Sequence, residues 1–271
     1  MKIYPLSRGI PLHRRWDPSR KFLGPIFSVT LSFLFNSLKS VSVPAQSVPM
    51  TEALPLCVAF DCDGVLADSV SSWKTLHDHF GTDSGELLAQ YMAGEFSDAE
   101  FMSKDIALWK SKIPKIHRDD IFRAYSGCKL MKGAKEIVAE LQEAGVFVAI
   151  VSAGVDLYVQ SIAAMLKADD WIANGFEFDE DGWLLDEGVL RVPSKEKDTT
   201  IKRLIELIDC PPERLICVGD SSMDLSMMIP NCKFIGFNPT RDSAKEAFTN
   251  AGVTVVASND LADLRQHLGL K

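Results

Sequence analysis

The chain has 271 residues, 46% of them apolar and 24% charged, with a formal charge of −8 at pH 7. This composition excludes a disordered, collagen-like or disulfide-framework protein and leaves room for one sizeable core with an insertion or small second domain. The first 49 residues hold seven Lys or Arg against the single acid Asp17, so the remainder carries 22 basic and 36 acidic residues, a balance that argues against a nucleic-acid partner.

Residues 1–50 read as an extension. The run FLGPIFSVTLSFLFNSL (22–38) follows Arg14, Arg15, Arg20 and Lys21 and precedes VPAQS, which is the layout of a signal or organellar targeting peptide. The run is short and interrupted for a membrane span, which needs about 20 predominantly apolar residues. An equal alternative is that Met50 is the true start. The remaining chain is expected to be cytoplasmic unless the extension directs it elsewhere, with no membrane contact for the folded domain. The six cysteines, Cys57, Cys62, Cys128, Cys210, Cys217 and Cys232, show no C-x-x-C spacing and read as reduced core residues.

Past residue 50 the chain alternates strands and helices. Leu56–Phe60 reads as the first buried strand, and residues 68–128 follow it with helix-like segments and no convincing strand. Ala134, Ile137, Val138 and Leu141 then mark a helix by their i, i+3, i+4, i+7 spacing. Further strands are expected at Val146–Val151, Leu215–Val218, Lys233–Phe237 and Val253–Val256, each suited to burial on both faces. Helices are expected at 155–167, 198–209, 242–251 and 259–269. GFEFDEDGWLLDEGVLRV (175–192) reads as a β-hairpin turning at Asp181 and Gly182. The fold class is therefore α/β, a doubly wound parallel sheet formed by 51–67 and 129–271, with a helical cap at 68–128 inserted after the first strand.

Ligands of such sheets sit outside the carboxyl ends of the strands. The first strand ends on Asp61, followed by Cys62, Asp63 and Gly64. The second ends VAIVSAG, on Ser152 and Gly154. Lys195 and Lys197 stand just before the helix at 198–209, and ICVGDSSMD ends its strand on Asp220, with Asp224 four residues on and expected on the same helix face. Four carboxylates, a hydroxyl and an ammonium thus share one edge. Such carboxylates hold Mg²⁺, which prefers oxygen ligands. An Asp carboxylate can attack phosphorus, a carboxyl at i+2 can exchange the protons, and hydroxyl and ammonium groups can bind the phosphoryl oxygens.

These stretches resemble the four motifs of the haloacid dehalogenase superfamily of phosphohydrolases, and within it the phosphoserine-phosphatase-like branch, over roughly residues 55–269. The D-x-D-G-[TV] motif is Asp61-Cys62-Asp63-Gly64-Val65, the strand-closing Ser is Ser152, the basic motif maps to Lys197 with Lys195 as fallback, and G-D-x-x-x-D is Gly219 to Asp224. The resemblance implies a Mg²⁺-dependent phosphatase acting on a small phosphomonoester through an aspartyl-phosphate. It makes Asp61 the nucleophile and Asp63 the acid/base, with Ser152 and Lys197 gripping the phosphoryl group. Asp61, the backbone carbonyl of Asp63, and Asp220 would hold the metal, with Asp224 a further member of that site.

Two positions depart from phosphoserine recognition as the family practises it. Val70 stands where a Glu holds the substrate ammonium, and Asp105 stands where a cap Arg holds its carboxylate. A phosphoglycolate-phosphatase-like enzyme, a sugar phosphomutase and a non-enzymatic phosphate binder are the other readings. A calcium loop is excluded because Gly64 and Ser72 occupy the wrong positions for one. His77 and His79, two residues apart, cannot share a helix face, and His77 reads as packed between Trp73, Leu76 and Phe80. Trp73, Trp109 and Met102 read as cap core.

Overall fold

The computed structural model describes residues 54–271. The expectations for the amino-terminal extension lie outside the described residues. Seven strands form a single sheet: β1 (Cys57–Phe60), β2 (Phe147–Val155), β3 (Asp170–Phe178), β4 (Leu184–Val189), β5 (Leu215–Gly219), β6 (Lys233–Phe237) and β7 (Thr254–Val256), in the order β4-β3-β2-β1-β5-β6-β7. All neighbours are parallel except β3 and β4. β1 lies at the centre, with Phe60 in register with Ile150 of β2 and Val218 of β5. Its four residues are fully buried, as apolar side chains on a strand covered on both faces must be.

Helices cover both faces. On one face α5 (Ala134–Glu143) and α6 (Asp156–Leu166) bury Ile137, Val138, Leu141, Val159 and Ile162. On the other, α7 (Lys197–Ile208) and α8 (Asp242–Ala251) bury Ile201, Leu204 and Phe248. These are the residues that the 3.6-residue period places on one stripe. The expected doubly wound α/β sheet is the observed one.

Between β1 and α5 the chain leaves the sheet through a narrow neck. Ala67 bridges Leu130, and the amide of Asp68 donates to the carbonyl of Lys129 at 2.9 Å. The loop so closed carries α1 (Ser72–Phe80), α2 (Gly85–Met92), α3 (Asp98–Lys112) and α4 (Arg118–Ala124). Their ends are set by local chemistry. Ser71 caps α1, Gly81 ends it in the left-handed region at φ 66°, and Ser97 with Glu100 form a capping box on α3. The inserted helices also lean on the hairpin of β3 and β4: Leu184 donates to Ile116 and Arg118 to Gly182, both at 2.9 Å, and Phe176 packs edge-on against Trp73 and Trp109.

Two sequence expectations need correction and one strand was missed. Residues 170–174, given no element from the sequence, form the first part of β3, parallel to β2 with Ala149 opposite Asp170. Asn174 and Gly175 interrupt its apolar run and hide the strand. The helix expected at 259–269 is two short 3₁₀ turns, Leu261–Leu264 and Gln266–Leu268, because Asp260 caps the first and Gly269 stops the second at φ 76°. β7 lies at the sheet's edge with Thr254 and Val255 exposed, so it is not buried on both faces. Among the described residues no helix is long and apolar enough to cross a membrane.

Candidate active site

The amide of Asp61 extends the sheet by one bond, donating to the carbonyl of Val218 at 2.9 Å, and the chain then turns sharply. Amides of Leu66 and Ala67 both close on the carbonyl of Cys62. Gly64 makes this turn possible in two ways. Its φ of 74° suits glycine, and a Cβ there would lie 2.6 Å from Oδ2 of Asp220. The turn brings Asp63 under the start of α1, where its carboxylate accepts from Ser69 Oγ at 2.6 Å, from Ser72 Oγ at 2.7 Å and from the Ser72 amide at 3.0 Å. Burial pushes the Asp63 carboxyl above its ordinary range, and these hydrogen bonds pull it back.

Ser152 closes the regular part of β2 with only 1% of its surface exposed. Its Oγ accepts from the amide of Gly154 at 3.0 Å, which leaves the hydroxyl proton free for another acceptor. Gly154 itself must be small, since a Cβ there would meet Ser72 Oγ at 2.5 Å and Asp63 Oδ2 at 2.8 Å. The buried Lys197, first residue of α7, sends its ammonium to Asp61 Oδ1 at 2.8 Å and Asp224 Oδ1 at 2.6 Å. Lys195, the fallback candidate, points away: its ammonium donates to the Tyr91 carbonyl at 3.0 Å and lies over the Tyr91 ring.

Asp220 and Asp224 are joined by a 3₁₀ turn at Ser222–Met227 rather than by the expected α-helix. The turn is folded by Asp224 itself, whose Oδ2 accepts from the amides of Asp220 and Ser221 and from Ser221 Oγ. A side chain that bonds back to the preceding backbone competes with helical pairing and fixes a cap instead. Asp224 thus reaches the cluster by curling back on its own loop.

Charges decide what this cluster can hold. Burial pushes Asp61 up to about 7, with Lys197 opposing and Asp224 adding to the rise. Burial first, and then the charges of Asp224 and Asp61, push Asp220 up to about 8, with Lys197 opposing. Asp224 goes the other way: against the cost of burial, the Lys197 ammonium and the bonds from Lys197 and Ser221 hold it below its usual range. Lys197 cannot neutralise three carboxylates. One oxygen from each of Asp61, Asp220 and Asp224 lies within 4.8 Å of the others, an all-oxygen set of the kind hard divalent cations take. The residues therefore fit a bound cation, and Asp220, which has no cationic partner within ion-pair distance among the described residues, is where the charge deficit is largest. The carboxylate of Asp63 stands outside this set, turned towards α1.

Above the cluster lies a cavity of about 480 Å³, floored by the strand ends and roofed by the inserted helices. Val70, at its rim, is 69% exposed and offers no charge. His77 and Asp105 line the roof and are each 2% exposed. Asp105 is pushed above the ordinary carboxylate range by burial, with His77 opposing. Two supporting residues escaped the sequence reading. Ser72 binds Asp63 and also, through Oγ, accepts from the Val155 amide at 3.1 Å, and only the hydroxyl residues at the start of α1 hinted at it. Asn174 donates to the carbonyls of Ala153 and Val192 and accepts from the amides of Arg191 and Val192, tying the Ser152 turn to the far loop. An Asn inside the apolar run WIANGF was its one signal.

Residues 58–228 match the family model of haloacid dehalogenase-like hydrolases. The chain belongs to this family. It is 27% identical over 215 residues to a phosphoserine phosphatase of Archaeoglobus fulgidus, a match covering 79% of this chain and 60% of that protein. With a phosphoserine phosphatase of Idiomarina loihiensis it shares 28% identity over 211 residues, 76% of this chain and 90% of the other. The solved structure of a phospho-aspartyl intermediate analogue of phosphoserine phosphatase superposes with a TM-score of 0.67 at 22% identity, over 81% of this chain and all of that one, and shows the same fold. Within the family the chain sits in the phosphoserine-phosphatase-like branch and is a hydrolase of the phosphatase type.

Proposed function

We propose that the protein is a Mg²⁺-dependent phosphomonoesterase working through a phosphorylated Asp61. The observation that carries this reading is the contact of 2.8 Å between Asp61 Oδ1 and the buried Lys197 ammonium, beside an all-oxygen cluster at the carboxyl edge of the sheet. Lys197 and the free Ser152 proton supply donors for the nonbridging phosphoryl oxygens, where charge must be stabilised in transfer. An oxygen of Asp61 attacks phosphorus as the bond from phosphorus to the ester oxygen breaks, and the departing oxygen takes the proton of Asp63. Burial favours that proton's presence at the start. Water then attacks the phosphorus of the acyl phosphate, Asp63 takes the water's proton, and phosphate leaves.

Asp61, Asp220 and the backbone carbonyl of Asp63 are assigned to the cation, with Asp224 beside it chiefly as the partner of Lys197. When bound, the cation offsets the negative charge shared by these carboxylates and the substrate phosphate. The bonds from Ser69 and Ser72 tie the position of the Asp63 carboxylate to the start of α1. The division of the chain into a core of 51–67 and 129–271 and a cap of 68–128 belongs to the same proposal, and is supported by the neck at Ala67 and Leu130.

Phosphate release from phenyl phosphate, with Mg²⁺ and with the metal chelated, tests the proposal. Release that needs Mg²⁺ and disappears in Asp61→Asn is expected. Release that persists in either condition overturns the metal requirement or the nucleophile respectively.

A further inference from the structure

The support of Asp63 runs from the cavity into the body of the protein. An ionised carboxylate offers about four lone-pair sites. Two of those on Asp63 are taken at Oδ2, by the Ser72 amide at 3.0 Å and by Ser72 Oγ at 2.7 Å. Oδ1 accepts one bond, from Ser69 Oγ at 2.6 Å. These are its hydrogen-bond donors among the described residues, so one lone pair remains, on Oδ1. Asp63 lines the cavity, while Ser69 and Tyr158 stand behind it, outside the lining.

A hydroxyl has one proton and rotates to suit its neighbours, so its direction is set by a second group. For Ser72 that group is the Val155 amide. It can only donate, and its bond of 3.1 Å to Ser72 Oγ commits the Ser72 proton to Asp63. For Ser69 the second group is Tyr158 of α6, whose hydroxyl donates to Ser69 Oγ at 3.0 Å. The other neighbour of that hydroxyl is the Cys128 sulfur, a weak acceptor, which leaves Ser69 as the better one. Tyr158 is 1% exposed, and its ring packs at 4.9 Å on Tyr125, which follows α4 and donates to the Ser72 carbonyl at 3.2 Å. Two tyrosines thus back the two serines that hold the two oxygens of one carboxylate.

This order bears on proton transfer. A Ser69 hydroxyl free to rotate could accept the Asp63 proton and hold it behind the carboxyl, away from the ester oxygen. With Tyr158 donating, a Ser69 that turned in this way would leave its own hydrogen without an acceptor. The Ser69 hydrogen therefore stays on Oδ1, and the proton that Asp63 exchanges is confined to the lone pair that Ser69 leaves open.

We infer that Tyr158, acting through Ser69, is a positioning residue for the proton that Asp63 gives to the departing alcohol and takes back from water. The inference rests on the phosphatase reading and adds a residue, remote from the substrate, to its proton transfer.

The test uses the full chain with Mg²⁺ and two esters that differ by one methylene, benzyl phosphate and phenyl phosphate. It reads kcat/KM, which runs through the departure of the alcohol. A phenolate leaves with little need of a proton, whereas an alkoxide needs one. Tyr158→Phe keeps the ring against Tyr125 and removes the donor. It is expected to lower kcat/KM for benzyl phosphate about two- to tenfold more than for phenyl phosphate, the usual effect of losing one neutral hydrogen bond, while the inhibition constant of inorganic phosphate stays within about twofold. Ser69→Ala should show the same selective loss. Tyr158→Phe should add nothing to it in the double variant, because the tyrosine acts through the serine. Losses that multiply in the double variant, losses equal for both esters, or an unaltered ratio of the two esters in Tyr158→Phe overturn the inference. Release by the unaltered protein from phenyl but not from benzyl phosphate overturns it too, since no proton is then delivered. If the unaltered protein releases phosphate from neither ester, the phosphatase reading itself fails and the inference falls with it.

Discussion

The floor and the roof of the cavity are built on opposite rules. On the floor nearly every polar group already has a partner within the protein: Lys197 binds Asp61 and Asp224, Asp224 binds its own loop, and Asp63 is held by Ser69 and Ser72. On the roof, aromatic and apolar side chains such as Trp73, Phe101 and Met102 surround a closed His77–Asp105 pair whose Nε2 and Oδ1 lie 3.1 Å apart. Groups that must meet a phosphate whatever alcohol carries it gain from being fixed before the substrate arrives, since preorganised donors and charges need no rearrangement at the moment of reaction. Groups that bound the alcohol need only shape the space above the phosphate, which apolar and aromatic side chains do.

The strongest way to break this contrast is to remove the centre of the floor. Asp61→Asn should lower phosphate release from every ester alike, by roughly 10³-fold or more, because the amide keeps the shape and loses the nucleophile. A loss confined to some esters would mean that the floor takes part in selection. Asp63→Asn should lower release by about 10²–10⁴-fold for alkyl esters, the usual range for a positioned acid or base, and by less for phenyl phosphate, whose phenolate departs with little need of a proton.

Lys197→Met tests whether the floor is held together as tightly as it looks. The variant leaves Asp61 and Asp224 buried without their shared cation, and such losses cost about 3–5 kcal/mol. Chemical denaturation of metal-free protein should show that drop, and added Mg²⁺ should restore part of it if the cluster binds the ion. No change in the denaturation midpoint would mean that the carboxylates lose their charge instead of paying the penalty.

Gly154→Ala probes the seam between the two regions. The new methyl would stand 2.5 Å from Ser72 Oγ and 2.8 Å from Asp63 Oδ2, so it must push the start of α1 or the Asp63 carboxylate aside. Displacement of a catalytic group by about 1 Å can cost 10²-fold, and here kcat should fall by roughly that factor with a smaller change in KM. A change that grows with the basicity of the leaving alcohol would place the effect in proton transfer by Asp63, and a change that follows the size of the alcohol instead would place it in the seating of the roof.

The floor was readable in the sequence and the roof was not, for a physical reason. Asp61, Ser152 and Asp220 are placed by strand ends, and a parallel sheet brings strand ends to one edge however the rest of the chain packs. Lys197 was set ahead of Lys195 by its place in the family's basic motif, and the structure puts Lys197, not Lys195, in the cluster. Asp224 was expected in the right place for the wrong cause, since a 3₁₀ turn closed by its own side chain replaces the helix face. The roof depends on pairs that no local period encodes. His77 meets Trp109 across 32 positions, and Phe176 of β3 packs on both Trp73 and Trp109. His77 was rightly expected to be packed, but its neighbours Trp73, Leu76 and Phe80 gave no hint that Asp105 would face it. The strand at 170–175 was overlooked because Asn174, which the fold needs as a four-bond tie, breaks the apolar run that marks strands.

The smallest expected effect concerns what burying Asp105 costs the fold. Burial raises Asp105 above its unfolded value, so in the folded protein the carboxyl holds its proton more tightly. The sign follows from linkage. Below the unfolded pKa both states are protonated and nothing is lost, and as pH rises towards and through the raised folded value the unfolded state gives up its proton more readily and stability declines. Asp105→Asn carries no such charge. The variant should therefore match the parent protein in thermal stability at pH 4 and exceed it at pH 8, by about 2–4 °C for each kcal/mol relieved. Lower stability of the variant at pH 8 would mean that the contact with His77 outweighs the cost of burying the Asp105 charge.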